Sequence, residues 1–151
     1  MNDISAVSSK PTLTALYLRS ARSGIEGRQN LARQRACCHR FLAAATPDDV
    51  PKPVEFTDYG SGLTADHPDL LALISAAQAG SISRVVVPSL DRIARSHAVI
   101  IRVFNMLEAA GVRVQTADRT IDSASPEGKL VMGMLAAFSE HFSTEETWEA
   151  V

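Results

Sequence analysis

Arg92 and Arg95 stand three positions apart, directly after the apolar run Val85-Val86-Val87-Pro88. If that segment is helical, positions i and i+3 share a face and both side chains project the same way. Their guanidinium groups stay charged and offer planar forks of donors that match phosphate oxygens. An isolated Arg-x-x-Arg is more often a pair of solvated surface residues. Here its position carries information, because open α/β sheets bind ligands beyond the carboxyl ends of their strands. A second arginine has the same placement. Thr12 to Leu18 reads as a buried first strand that ends at Arg19, followed by the polar loop Ser20-Ala21-Arg22-Ser23-Gly24. If the two strands run parallel in one sheet, both deliver arginine to the same end.

The elements that must position these residues alternate. After the first strand, Leu31, Cys38, Phe41 and Leu42 form an apolar stripe that predicts a helix over about 27–45. Pro51 and Pro53 punctuate before a short strand at 54–57, and the loop Asp58-Tyr59-Gly60-Ser61-Gly62 follows. Pro68 suits the first turn of a helix over about 66–79 that Gly80 stops. A strand at 84–88, a helix over about 94–110 ending at Gly111 and a strand at 112–115 come next. Ser125-Pro126 opens the last helix, with serine as cap and proline in the first turn. Alternating strand and helix units predict an α/β fold: a mostly parallel four- to five-stranded sheet with helices on both faces. In the last helix Leu130, Met134, Phe138 and Phe142 recur every fourth residue. That makes a broad apolar face, suited to packing on its own sheet or to a subunit interface.

At 151 residues with 46% apolar side chains, the chain is expected to form one domain with a sizeable core. No run approaches a membrane span. Residues 1–11 lack an apolar signal segment and read as a disordered leader before a domain over 12–151. The two cysteines, Cys37 and Cys38, are adjacent, which argues for reduced thiols and a cytoplasmic protein. Cys37-Cys38-His39 is followed by no second ligand pair at metal spacing, so neither metal nor other cofactor is expected. Net charge is −2 but unevenly spread: residues 1–45 hold seven basic side chains against two acidic, and residues 120–151 hold one basic against six acidic. Such asymmetry fits either a polyanion near the amino-terminal part or a set of solvated helix faces.

In order along the chain, Tyr17-Leu18-Arg19, Gln29-Asn30-Leu31-Ala32-Arg33-Gln34, Asp58 through Ser61-Gly62, Asp66-His67-Pro68 and Leu90 to Ser96 resemble the motifs of the serine recombinases, the resolvase/invertase group. The similarity runs from about Thr12 to Phe138, and the ordered set is more specific than any one piece. It implies a resolvase-like catalytic domain that cuts and rejoins DNA without a metal. A serine hydroxyl attacks a backbone phosphate and leaves a 5′-phosphoserine link, while arginines neutralise the phosphate oxygens. By this resemblance Arg19, Arg92 and Arg95 are the phosphate donors and Asp91 positions its neighbours. Gln34 supports Arg19, Asp58 and Ser61 line the loop, and His67 stands where the family has an arginine. The partners implied are DNA and one or three further copies, joined through the last helix over 126–148, with no membrane.

Besides His67, three departures qualify the activity. The family's nucleophile stands two residues after the strand-end arginine, where this chain has Ala21, and a methyl group cannot attack. Side chains alternate along a strand, so Ser20 points away from Arg19; Ser20 and Ser23 are the remaining nucleophile candidates. Phe142-Ser143 replaces an expected Glu-Arg, and the sequence ends before any module that would read DNA. A non-catalytic, dimerising or regulatory domain of recombinase ancestry is therefore the alternative. A flavodoxin-like ligand-binding domain is a third option, with no glycine-rich phosphate loop to support it.

Overall fold

The computed structural model describes residues 12–48, 52–60 and 67–142. Four strands, β1 (Leu13–Ser20), β2 (Val54–Tyr59), β3 (Ile82–Val87) and β4 (Arg113–Thr116), form one sheet in the order β2-β1-β3-β4. All three pairings are parallel. Helices α1 (Gly24–Ala45), α2 (Pro68–Gln78), α3 (His97–Ala109) and α4 (Pro126–Phe142) alternate with them. This is the expected α/β sheet at the lower strand number. The expected leader over 1–11, Ser61, Asp66 and everything beyond Phe142 lie outside the described residues.

The alternation of side chains along β1 divides the core in two. Leu16 and Leu18 pack with Val86 against Leu31, Cys38 and Leu42 of α1. Ala15 and Tyr17 pack on the other face with Leu70, Leu73 and Ile74 of α2 and Ile100, Val103 and Phe104 of α3. Every β1 residue after Leu13 is buried, as a central strand covered on both faces requires. In α1 the buried positions are Gly27, Leu31, Gln34, Cys38 and Leu42, a stripe of three- and four-residue steps that includes one polar side chain. Phe41, expected in the stripe, is only partly buried beside it. Gly27 is required by a close approach: a Cβ there would lie 2.2 Å from the Arg22 carbonyl oxygen and 3.2 Å from the Tyr59 ring.

Two boundaries differ informatively from expectation. Asp58 belongs to β2 rather than to the following loop. The stretch after β3 is not the start of a long helix. Leu90–Arg92 form a single 3-10 turn, and α3 begins only at His97. An α-helix from residue 90 would need the Asp91 and Arg92 carbonyls for bonds to residues four further on. Both accept instead from the Arg19 side chain. The last helix opens as expected: the Ser125 hydroxyl accepts from the Gly128 N–H at 2.9 Å and donates to the Asp122 carbonyl at 2.8 Å.

The chain moves from β1 outward to β2, then returns across β1 to β3. The segments that leave β1 and β3 therefore turn to opposite faces, α1 to one and α3 to the other. That reversal opens a crevice at the carboxyl ends of β1 and β3, the switch point at which such sheets bind ligands.

Candidate functional site

Arg19 lies at the crevice, and the fold holds it by both backbone and side chain. On the β2 side it is in register with Asp58. On the other side β3 pairs only as far as Leu16, so the Arg19 peptide groups have no strand to bond. The buried Gln34 amide of α1 takes the strand's place. Its Oε1 accepts from the Arg19 N–H at 3.2 Å, and its Nε2 donates to the Arg19 carbonyl at 2.9 Å. The second Nε2 hydrogen goes to Asn30 Oδ1 at 3.0 Å, so both amide hydrogens of Gln34 are in use.

The Arg19 side chain is buried among carbonyl oxygens. Nε donates to Arg92 O at 3.0 Å, Nη1 to Gly60 O at 2.8 Å and Nη2 to Asp91 O at 2.6 Å. One guanidinium thus ties together the ends of β1 and β2 and the 3-10 turn after β3. Burial lowers its pKa, and the nearby Arg92 and Arg95 charges lower it further, while Tyr17 and Asp91 act in the opposite sense. Arg92 is half-buried, and its Nη1 lies 3.4 Å from Arg19 O. Arg95 is exposed. Asp91 is exposed too, and its carboxylate accepts from the Ser89 hydroxyl. The structure therefore brings Arg19, Asp91, Arg92 and Arg95 into one region, with positive charge in excess.

Asp58 behaves differently. Its carboxylate is buried and faces α2 (4% exposed). Oδ2 accepts from Tyr17 Oη and the Leu70 N–H, each at 2.9 Å, and Oδ1 accepts from the Asp69 N–H at 3.0 Å. Asp69 returns a bond from β2, accepting from the Thr57 N–H at 2.9 Å. The negative charge so sits on the amino end of α2, where the helix dipole favours it. Burial first, and then the Asp58 charge, push the Tyr17 phenol well above its ordinary pKa. Sequence reasoning did not find this tyrosine–aspartate–helix knot, because the aspartate and the amides it caps are more than ten residues apart.

His67, the residue before α2, is fully buried, and neither ring nitrogen has a hydrogen-bond partner among the described residues. Its ring borders Gly60, where a Cβ would lie 3.4 Å from His67 Cε1. Ser20 is also fully buried and shares the α1 face of β1 with Leu16 and Leu18; its hydroxyl accepts from the Arg22 N–H at 3.3 Å. Ala21 and Ser23 lie exposed in the loop before α1, and Ser23 makes no side-chain bond to that helix. Ser61 is outside the described residues. Cys38 is buried, which pushes its thiol up to about 12, whereas its neighbour Cys37 is half-exposed. Among the described residues no three His, Cys, Asp or Glu side chains converge as a metal site would require.

On α4 the expected face divides. Val131 and Met132 pack on the α2–α3 side of the core. Leu130, Met134 and Phe138 stand 65%, 56% and 58% exposed. The Phe142 side chain lies outside the described residues. No described helix is long and apolar enough to cross a membrane.

Known proteins share this fold. The chain is 34% identical over 87 residues to the transposon Tn552 DNA-invertase BinR of Staphylococcus aureus, covering 56% of this chain and 44% of that protein. It is also 34% identical over 88 residues to the transposon Tn21 resolvase of Escherichia coli, covering 56% and 46%. The chain thus spans less than half the length of these two relatives. Among solved structures, the N-terminal catalytic domain of TP901-1 integrase superposes with a TM-score of 0.75 at 22% identity, covering 86% of this chain and 96% of that one. A resolvase family site-specific recombinase from Streptococcus pneumoniae gives 0.69 at 22% identity, covering 87% of each. The family model described as resolvase, N terminal domain, matches residues 14–147, a span that covers every element from β1, but for its first residue, to α4. The chain therefore belongs to the resolvase N-terminal domain family, and its arginine-rich crevice lies within the part that defines that membership.

Proposed function

We propose that this chain works on DNA as the catalytic-domain part of a site-specific serine recombinase, with backbone phosphate seated at the crevice beside Arg92 and Arg95. The observation that carries this reading is the excess of positive charge there: Arg19 binds backbone carbonyls, and its charge is flanked by two further arginines. A phosphoryl-transfer transition state spreads negative charge over oxygens that such preorganised donors stabilise. Arg92 and Arg95 are the residues open to a ligand. Arg19, Gln34 and Asp58 act as positioning residues, since their polar atoms hold the chain ends that carry the others.

Strand cleavage also needs a nucleophile. In this reaction class a serine oxygen bonds to phosphorus, the bond to the 3′ oxygen breaks, and that oxygen takes up a proton. Ala21 supplies no oxygen, and the buried Ser20 points to α1. These two positions favour the second reading, a non-cleaving partner that pairs with active relatives. Both readings use the exposed α4 face, which we assign as the surface that joins copies. Exposed apolar patches on soluble domains mark partner surfaces.

The test joins the chain to a DNA-binding module of known target and looks for a covalent protein–DNA adduct on denaturing gels. Wild type is expected to form little or none, and Ala21→Ser to gain some. An adduct formed by wild type and lost in Ser20→Ala or Ser23→Ala would show that the nucleophile has moved. For the interface, Phe138→Asp is expected to give a folded monomer by light scattering, with circular dichroism like that of wild type. Loss of folding would make α4 ordinary core.

A further inference from the structure

The crevice leaves most of the amino-terminal positive charge unexplained. Helix α1 carries four arginines against one glutamate. Arg35 is held by Glu55 of β2 through paired hydrogen bonds, and the glutamate, Glu26, is taken by Arg22 at 2.7 Å. Arg28, Arg33 and Arg40 are exposed and make no ion pair with any described residue. At 100° per residue they stand in two rows. Arg28 lies with His39 on one flank of the outer face, Arg33 with Arg40 on the other, and the exposed Ala32, Ala36 and Ala43 run between them. From Arg28 to Arg40 is about 18 Å of helix axis, equal to the rise of roughly five nucleotides in one DNA strand. The row starts beside the crevice, because Gly27 packs against the Arg22 backbone at the end of the β1 loop.

We propose that the outer face of α1 is a second duplex-DNA contact surface, on which a sugar-phosphate strand lies along the alanines between the two rows of cations. The proposal rests on DNA being the partner of the crevice and says where the duplex runs once it leaves it. Guanidinium groups suit phosphate oxygens, and small side chains between them let the strand approach the helix. Because these contacts reach only the backbone, they add affinity without sequence preference.

The experiment measures binding of the full chain to a labelled 30-base-pair duplex between 50 and 200 mM salt. Compared are wild type, the triple variant Arg28→Gln/Arg33→Gln/Arg40→Gln, Arg95→Gln, and Arg119→Gln as an exposed arginine off this face. Thermal melting checks that each variant folds. Loss of three phosphate contacts lowers the slope of log affinity against log salt by about 2.7, so wild type should lose about 40-fold more affinity than the triple variant across that range. Lysine at the three positions should restore the slope, and Arg119→Gln should leave it unchanged. A triple variant with the wild-type slope overturns the proposal; if Arg95→Gln still weakens binding, the crevice reading survives that failure. A reduced slope in the triple variant with no effect of Arg95→Gln supports the α1 surface and removes phosphate from the crevice. Tighter binding to a 30-nucleotide single-stranded RNA than to the duplex overturns the assignment of duplex DNA, as does absence of wild-type binding at 50 mM salt.

Discussion

Arg19 and Asp58 are register partners on neighbouring strands, both buried and opposite in charge, yet they make no ion pair. Asp58 is bonded to a phenol and two helix amides, and Arg19 to three carbonyls. Each ion is satisfied by dipoles instead of by the other. A direct pair would have cancelled the charge at the end of β1, and a buried pair adds little to stability beyond its own desolvation. The separation divides the labour. The aspartate fastens α2 to the sheet, and the arginine fastens the loops of the crevice while leaving its positive charge uncancelled.

This contrast can be broken at either end. The largest effect is expected from Asp58→Ala, which leaves the Tyr17 hydroxyl and the Asp69 and Leu70 amides without their acceptor. Urea unfolding should show a loss of about 3 kcal/mol or more, the cost of several buried orphan donors at a helix start. Arg19→Met keeps the bulk and removes the donors, so about 2 kcal/mol should be lost as three carbonyls lose a partner. Arg19→Lys should recover little of it, since an ammonium cannot span the three oxygens as a fork does. A lysine variant as stable as wild type would show that only charge mattered. Arg95→Gln sharpens the comparison from the solvent side. Its stability should stay within about 0.5 kcal/mol of wild type, while the salt slope of DNA binding falls by about 1.

The smallest effect concerns an arginine and an aspartate that do pair, Arg113 and Asp122 on the far edge of the sheet. The Arg113 guanidinium holds the Asp122 carboxyl below its ordinary value. A depressed folded-state pKa contributes stability above the unfolded value, near 3.9, that is lost as pH falls through the folded one. Arg113→Gln should flatten the decline of stability with acid below about pH 4, and an unchanged acid limb would mean that the pair contributes nothing.

The four strands, the capped start of α4 and the placement of arginine at two strand ends were legible from local pattern. Periodicity reports which face is buried, and Ser125-Pro126 announces its own helix. Arg92 and Arg95 were legible as a pair, but not as a helical one. The backbone that would make the helix is claimed by Arg19, which precedes it by over seventy residues. Local sequence places Asp58 in a loop for the same reason: its partners come from β1 and α2, and no local spacing encodes them. Gln34 became visible only through resemblance, since a polar residue inside an apolar stripe gives no sign of the strand end it completes.

That last contact also links two parts of the molecule in time. The amide proton of Arg19 is a β-strand proton shielded by a helix side chain, so its exchange with deuterium follows the undocking of α1 instead of the parting of strands. Replacing Gln34 by leucine should raise that one proton's exchange far more than those of Leu16 or Val86 at the sheet centre. The end of β1 is thus completed only while α1 is seated, and whatever loosens the helix leaves the Arg19 backbone unpaired on that side while its side chain stays tied to the loops.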